Sequence, residues 1–348
     1  MYVCLSSASR VRYLEDVARS VSMPPGAIIR FRYATKIVDP KVLAVASTGK
    51  LNGQTALICF LDASKMELFP SIVPTRFARI EKVEVVGGFM TLDLGLSAFP
   101  DIAEDVDVQS RFEGLNREIP VPSGQSASKW ERVRYFFGKI DDPKFKSSNS
   151  DDTWQRIVTQ LGGSDGFKDA KYGRFFRVYG VSQDDAGHQQ YTTGMSLSAG
   201  VPYYIHVSYF SPSAVENSDV LSISASSDAI KVISQSAMTL DSDYDKQAFI
   251  VQGTGPDVQT PSFLSFLHEP SLSTDDKRKW KLRFELPITS EADRRNRIIQ
   301  AALVAAPPAG AALLGIYAAG KFTWKYILAV VVVYVGVGVL KFMVVKQK

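Results

Sequence analysis

The sequence predicts a mainly β protein: an N-terminal small β-barrel or sandwich, short helices, a second antiparallel β-sandwich and a C-terminal transmembrane helical hairpin. Three observations predict it. Short runs with apolar residues at every second position recur up to about residue 289, which is the period of a half-buried strand. Turn residues such as Pro24-Pro25-Gly26 and Gly87-Gly88 separate these runs. Two long uncharged stretches then close the chain. We divide it into a small β domain (1–110), a linker (111–128), a helical pair with an antiparallel sandwich (129–290) and a membrane hairpin (291–348).

In the first domain, the segment around Val11–Ser20 reads as a short helix. "GAIIRFRYATKIV" sets Ile29, Phe31 and Tyr33 against Arg30 and Arg32. "QTALICFLD" is a continuous apolar strand, and "TRFARIEKVEVVGGFMTLDLGL" is a hairpin about Gly87-Gly88. SH3-like and OB-like barrels both suit five or six such strands. Pro120, Pro122 and Gly124 place a linker before two expected helices. In the first, "SKWERVRYFFGKI", Trp130, Val133, Phe136, Phe137 and Ile140 fall at helical spacing. The second, "SDDTWQRIVTQLGG", has Ser150 or Asp151 as cap, acids in its first turn and Gly162-Gly163 as its stop. From Gly166 onward, six or seven short runs separated by turns predict an antiparallel sandwich. Ser290 reads as the cap of a helix that continues into the apolar tail, with Glu291 and Asp293 in its first turn.

The tail carries the localisation. Residues 298–320 hold no charge and as a helix would measure about 34 Å, against a hydrocarbon core of about 30 Å. Lys321, Trp324, Lys325 and Tyr326 follow, a cationic and aromatic punctuation suited to a headgroup boundary. A second uncharged run starts at Tyr326, and Lys341 near its end can snorkel. Arg294, Arg295 and Arg297 with Lys341, Lys346 and Lys348 outweigh the two lysines of the inner turn, so the N-terminal domains and the C-terminus are expected on the cytoplasmic side. Pro307 and Pro308 mark a kink whose freed carbonyls need cover from a neighbouring helix. Ala302, Ala306 and Gly310, with Gly315 and Ala319, give small-xxx-small spacing, so the hairpin is expected to self-associate.

Charge narrows the partners. Residues 1–100 carry 12 Lys+Arg against 8 Asp+Glu, residues 101–290 carry 20 against 26, and residues 291–348 carry 8 against 2. An acidic middle argues against a broad nucleic-acid surface, and a basic, apolar tail points to a lipid bilayer. Cys4 and Cys59 are too few for a disulfide framework, and no signal peptide is visible, so a reducing compartment is expected.

No residue set announces catalysis. His188, His206 and His268 lack metal spacing, and no GxSxG or phosphate-loop motif is present, so neither a catalytic residue, a metal nor a cofactor is expected. "DSDYD" begins like a calcium loop, but Lys246 and Gln252 stand where that loop needs Gly and Glu. One stretch of the first domain stands out. Arg30, Arg32 and Lys36, with Tyr33 and with Arg76 and Arg79 of the next strands, could form a face for a nucleotide or other anionic ligand; the plain alternative is a solvated strand face. The expected protein is a membrane-anchored cytoplasmic sensor, adaptor or effector whose β domains bind a ligand or protein partner and whose hairpin localises, oligomerises or perturbs the membrane. By architecture alone it compares with bacterial defence effectors. A structural subunit of a membrane complex and an enzyme with a spatially assembled site are the alternatives.

Overall fold

The computed structural model describes residues 1–62, 71–102, 109–115, 133–141, 144–170, 172–183, 191, 195–212, 218–254, 261–269 and 281–291. Strands dominate and the helices are few and short. The first unit runs β1 (Tyr2–Ser7), α1 (Val11–Ser22), β2 (Ile28–Ala34), α2 (Pro40–Ala46), β3 (Thr55–Asp62), β4 (Ser71–Val86), β5 (Phe89–Leu96) and β6 (Phe99–Asp101). A short 3-10 helix spans Gln109–Leu115.

The period of two in β2 is realised as drawn from sequence. Ile29, Phe31 and Tyr33 are buried, and Arg30 and Arg32 face outward. β3 is apolar from Ala56 to Leu61 because both its faces are covered. Cys4, Ile58 and Phe60 join the main core on one side, and Leu5, Leu57, Cys59 and Leu61 a smaller cluster on the other. The β4–β5 turn places Gly87 and Gly88 at φ 59° and 78°, the left-handed pair that a two-residue hairpin requires.

The chain continues with β7 (Phe137–Lys139), β8 (Lys146–Ser148), α3 (Asp151–Gly163), α4 (Asp165–Asp169), β9 (Phe175–Ser182), β10 (Met195–Ser198), β11 (Pro202–Phe210), β12 (Asp219–Ala225), β13 (Ile230–Val232), β14 (Ala237–Leu240), β15 (Tyr244–Gly253), β16 (Pro261–Glu269) and β17 (Leu282–Glu291). Among the described residues the strands form a sheet in the order β2-β5-β4-β3-β1-β7, a second in the order β10-β17-β16-β12-β14, a third in the order β13-β15-β11-β9, and the small pair β6-β8. Pairing is antiparallel except for β1 with β3 and β10 with β17.

Two expectations need correction. The described part of the segment read as a first helix, residues 133–140, is not helical. Phe137–Lys139 pairs antiparallel with β1, and Phe137 stacks on Tyr2 and Tyr33 with ring centroids 6.0 and 5.9 Å apart. The edge of β1 offers unpaired backbone groups, and satisfying them outweighs a helical pattern in a short aromatic run. Ser290 and Glu291 also do not open a helix: they pair with Leu197 and Ser198 as the end of β17. By contrast, α3 starts as read, with the Ser150 hydroxyl accepting from the Thr153 amide.

The described residues contain no helix long and apolar enough to cross a membrane. The hairpin read at 291–348 lies, apart from Glu291, outside them, and with it Arg294, Arg295, Arg297, Ala302, Ala306, Gly310, Gly315, Ala319, Lys321, Trp324, Lys325, Tyr326 and Lys341. Trp130 and His188 lie outside them too.

The main core runs without a break from Cys4 to Ile288, so the two β units share one interior. Helix α1 sits at their meeting. Leu14, Val17, Ala18 and Val21 are buried, the Trp154 indole donates to the Val21 carbonyl (3.1 Å), and Arg19 Nε donates to the Arg283 carbonyl (2.8 Å). Helix α4 closes on the same corner: a Cβ on Gly166 would stand 2.4 Å from the Ala8 Cβ, so this contact admits only glycine without a backbone shift.

Asp16 of α1 is buried beside Arg19, whose Nη1 lies 2.9 Å from its carboxylate. Burial pushes the Asp16 carboxyl up to about 6, against the pull of the Arg19 and Arg12 charges. The folded state therefore holds this proton more tightly than the unfolded chain. Its stabilisation is full below the unfolded value near 3.8 and is lost as pH rises through about 6. We expect urea denaturation to show wild type losing about 2–3 kcal/mol relative to Asp16→Asn between pH 4 and pH 7.5. Parallel pH profiles for the two proteins would contradict this.

Candidate functional site

The outward face of β2, β5 and β4 is where the sequence placed an anion site, and its charges are largely matched. Arg30 makes a bidentate pair with Asp93 (Nε 2.6 Å, Nη2 2.9 Å) directly across the register of β2 and β5. Arg79 does the same with Glu81 (2.9 and 3.0 Å), and Lys82 Nζ lies 2.6 Å from Glu84. The Arg32 guanidinium stacks over the Phe89 ring at 3.9 Å. Lys36 sits in the 3-10 turn Thr35–Ile37, past the end of β2. Arg30, Arg32 and Arg79 thus share a region, but two of the three already hold carboxylates.

Tyr33 and Arg76 do not belong to that face. Tyr33 points inward and donates from its hydroxyl to the Leu5 carbonyl (3.1 Å). Burial raises its phenol and the neighbouring Cys4 thiol well above their ordinary values, so neither is an acid–base group at neutral pH. Arg76 is 1% exposed, with its guanidinium over the Phe99 ring at 3.8 Å. Strand alternation explains both errors: Tyr33 follows Arg32 by one residue, and β4 is covered on both sides along its first half.

A second arginine, Arg177 of β9, approaches the same ring at 5.6 Å and the Trp154 ring at 5.0 Å. It is well satisfied. Nε donates to Ser208 Oγ (3.1 Å), Nη1 to the Asn149 carbonyl (3.3 Å), and Nη2 to Asp151. Asp151 also takes Lys246 at 2.5 Å and the Tyr244 hydroxyl at 3.1 Å. Burial pushes its carboxyl up, but the Lys246 hydrogen bond and the charge and hydrogen bond of Arg177 outweigh that and hold it below the usual carboxylate range. This network fastens the start of α3 to β9 and β15.

Sequence reasoning missed a cleft of about 820 Å³ on the first unit. Tyr2 of β1, Lys41, Val42 and Val45 of α2, Ser110, Arg111 and Gly114 of the 3-10 helix, and Lys139, Ile140 and Asp141 at the end of β7 line it, together with Asp39. The Asp39 carboxylate is occupied as the α2 cap, accepting from the Lys41 amide at 2.9 Å. Lys139 Nζ lies 6.0 Å from the Tyr2 ring centroid. Lys41, Arg111 and Lys139 make no ion pair with any described residue. Its volume falls in the range of small-molecule sites, though its lining is more polar and charged than is usual for them. No sequence motif marked it, because β7 was read as helix and its lysine therefore had no place beside Tyr2.

Elsewhere the two described histidines are built into the core. His206 Nε2 lies 2.7 Å from Ser182 Oγ, and His268 Nε2 lies 2.9 Å from Asp219. Cys4 and Cys59 are buried, and Cys4 aligns with Ile58 rather than with Cys59, which puts the two thiols on opposite sheet faces. Among the described residues no three His, Cys, Asp or Glu side chains gather to hold a metal. The tip of the β4–β5 hairpin is apolar and outward: Val86 is 75% exposed, with Val85 and Phe89 beside it. No family model and no curated protein matches this chain.

Proposed function

We propose that this chain is a membrane-held binding module, a sensor, adaptor or effector, whose β body takes an anionic ligand with a planar ring in the cleft between α2 and β7. The observation that carries the reading is the convergence of Lys41, Arg111 and Lys139 beside Tyr2 in one cleft of ligand size. Three cations against the two acids Asp39 and Asp141, with no ion pair among the described residues and Asp39 held as the α2 cap, favour phosphate or carboxylate groups, and Tyr2 with its lysine gives a flat surface for stacking. A nucleotide has both features. The uncharged run at 298–320 and the aromatic and basic residues after it support attachment to the bilayer.

In isothermal calorimetry, the full chain in detergent should bind a member of a mono- and dinucleotide panel. Lys41→Ala combined with Lys139→Ala should weaken that binding at least tenfold while the far-UV circular dichroism stays unchanged. Equal affinity in the double variant would exclude the cleft. The membrane half is tested separately: the full chain should float with liposomes and resist carbonate extraction, whereas a chain ending at Glu291 should remain at the bottom of the gradient. Flotation of the shortened chain to the same extent would contradict the role given to the tail.

The exposed Val85, Val86 and Phe89 favour a second reading, in which the hairpin tip meets a protein partner in a membrane assembly. Stable co-purification of other subunits that is lost in Val86→Asp would support it over the ligand reading.

A further inference from the structure

The buried guanidinium of Arg76 goes beyond the cleft and shares no residue with it. Arg76 stands on β4 opposite Ile58, where the β3–β4 register shifts between Ile58 and Cys59. Its Nε and Nη2 are buried and make no hydrogen bond, and its guanidinium rests on Phe99 at 3.8 Å. Nε and Nη2 form one edge of the fork. On Arg30 and on Arg79 the same edge grips a carboxylate with two parallel bonds. Among the described residues no acid bears on Arg76: Asp151 is held by Arg177 and Lys246, and Asp101 lies 3.3 Å from Arg156, although its buried Oδ1 makes no hydrogen bond.

Arginine does not shed its proton in a protein, so burial leaves a full charge to be compensated. The Phe99 face returns only part of the lost hydration. Arg177 makes matters worse: burial first, and then its like charge, push the Arg76 guanidinium well below its ordinary value. A single oxyanion would answer both the open edge and the excess positive charge.

We propose that the Nε–Nη2 edge of Arg76 is the recognition element of a compact oxyanion site, for a phosphate or carboxylate group, with Phe99 as its floor.

The test is thermal unfolding of the full chain in detergent, titrated with inorganic phosphate, acetate or chloride at fixed ionic strength and pH 7. Wild type should show a saturable rise in Tm with phosphate or acetate and none with chloride. A response to phosphate alone assigns a phosphate group, and a response to acetate assigns a carboxylate. Arg76→Met should abolish the rise, and Arg76→Lys, which keeps the charge but not the fork, should need at least tenfold more anion. The proposal is overturned if neither anion gives a saturable rise in wild type, or if Arg76→Lys saturates where wild type does. The wild-type titration decides even if Arg76→Met does not fold. Loss of this response with nucleotide binding intact would separate the Arg76 site from the cleft.

Discussion

The fold depends on the burial of helix α1 between two β units. Its apolar side chains Leu14, Val17, Ala18 and Val21 have no water to return to, because the first sheet lies on one side and the strands and α3 of the second unit lie on the other. At roughly 1.5–3 kcal/mol for each large apolar side chain, this outweighs any single polar contact in the chain. The polar contacts add direction. Trp154 reaches from α3 to the Val21 carbonyl, Ser20 meets Thr75 on β4 at 3.3 Å, and Arg19 meets β17. The Trp154 bond is buried, so losing its acceptor would leave the indole N–H unsatisfied, and together with Arg19 it ties α1 to the second unit. The tight approach of Gly166 to Ala8 follows from the same closure.

Electrostatics divide by depth. The ladder of Arg30, Asp93, Lys82 and Glu84 on the first sheet is solvated, and pairs of this kind contribute little to stability. The arginines near Phe99 and Trp154 are inside, where each charge has to be matched. Arg177 is matched four times over by Ser208, the carbonyls of Asn149 and Ser150, and Asp151. Arg76 is not. The cleft at Lys41, Arg111 and Lys139 is a third case: cations with no ion pair among the described residues, beside Asp39 and Asp141, but open to solvent, where an unpaired charge costs little.

Much of this was legible in the residues. The alternation in β2, the Gly87-Gly88 turn and the Ser150 cap each rest on local stereochemistry, and each appears as read. What escaped was tertiary. Phe137 has helical neighbours in sequence, but the open edge of β1 and the rings of Tyr2 and Tyr33 made it a strand. The cleft was invisible for that reason. Within the expected anion face, Arg30, Arg32 and Arg79 point outward, while Tyr33 and Arg76 point into the core. No pattern of charges in a sequence reveals that Asp93 and Glu81 have already neutralised their neighbours.

The central claim is that α1 makes the two β units one cooperative body, which would carry both proposed anion sites. Native-state hydrogen exchange on the full chain, read by mass spectrometry along a denaturant series, tests it most directly. Amides of α1, β3 and β11 should exchange through a single opening with a common free energy. If the strands from β9 to β17 open at a markedly lower free energy while α1 and β3 stay protected, the units fold separately and the account fails.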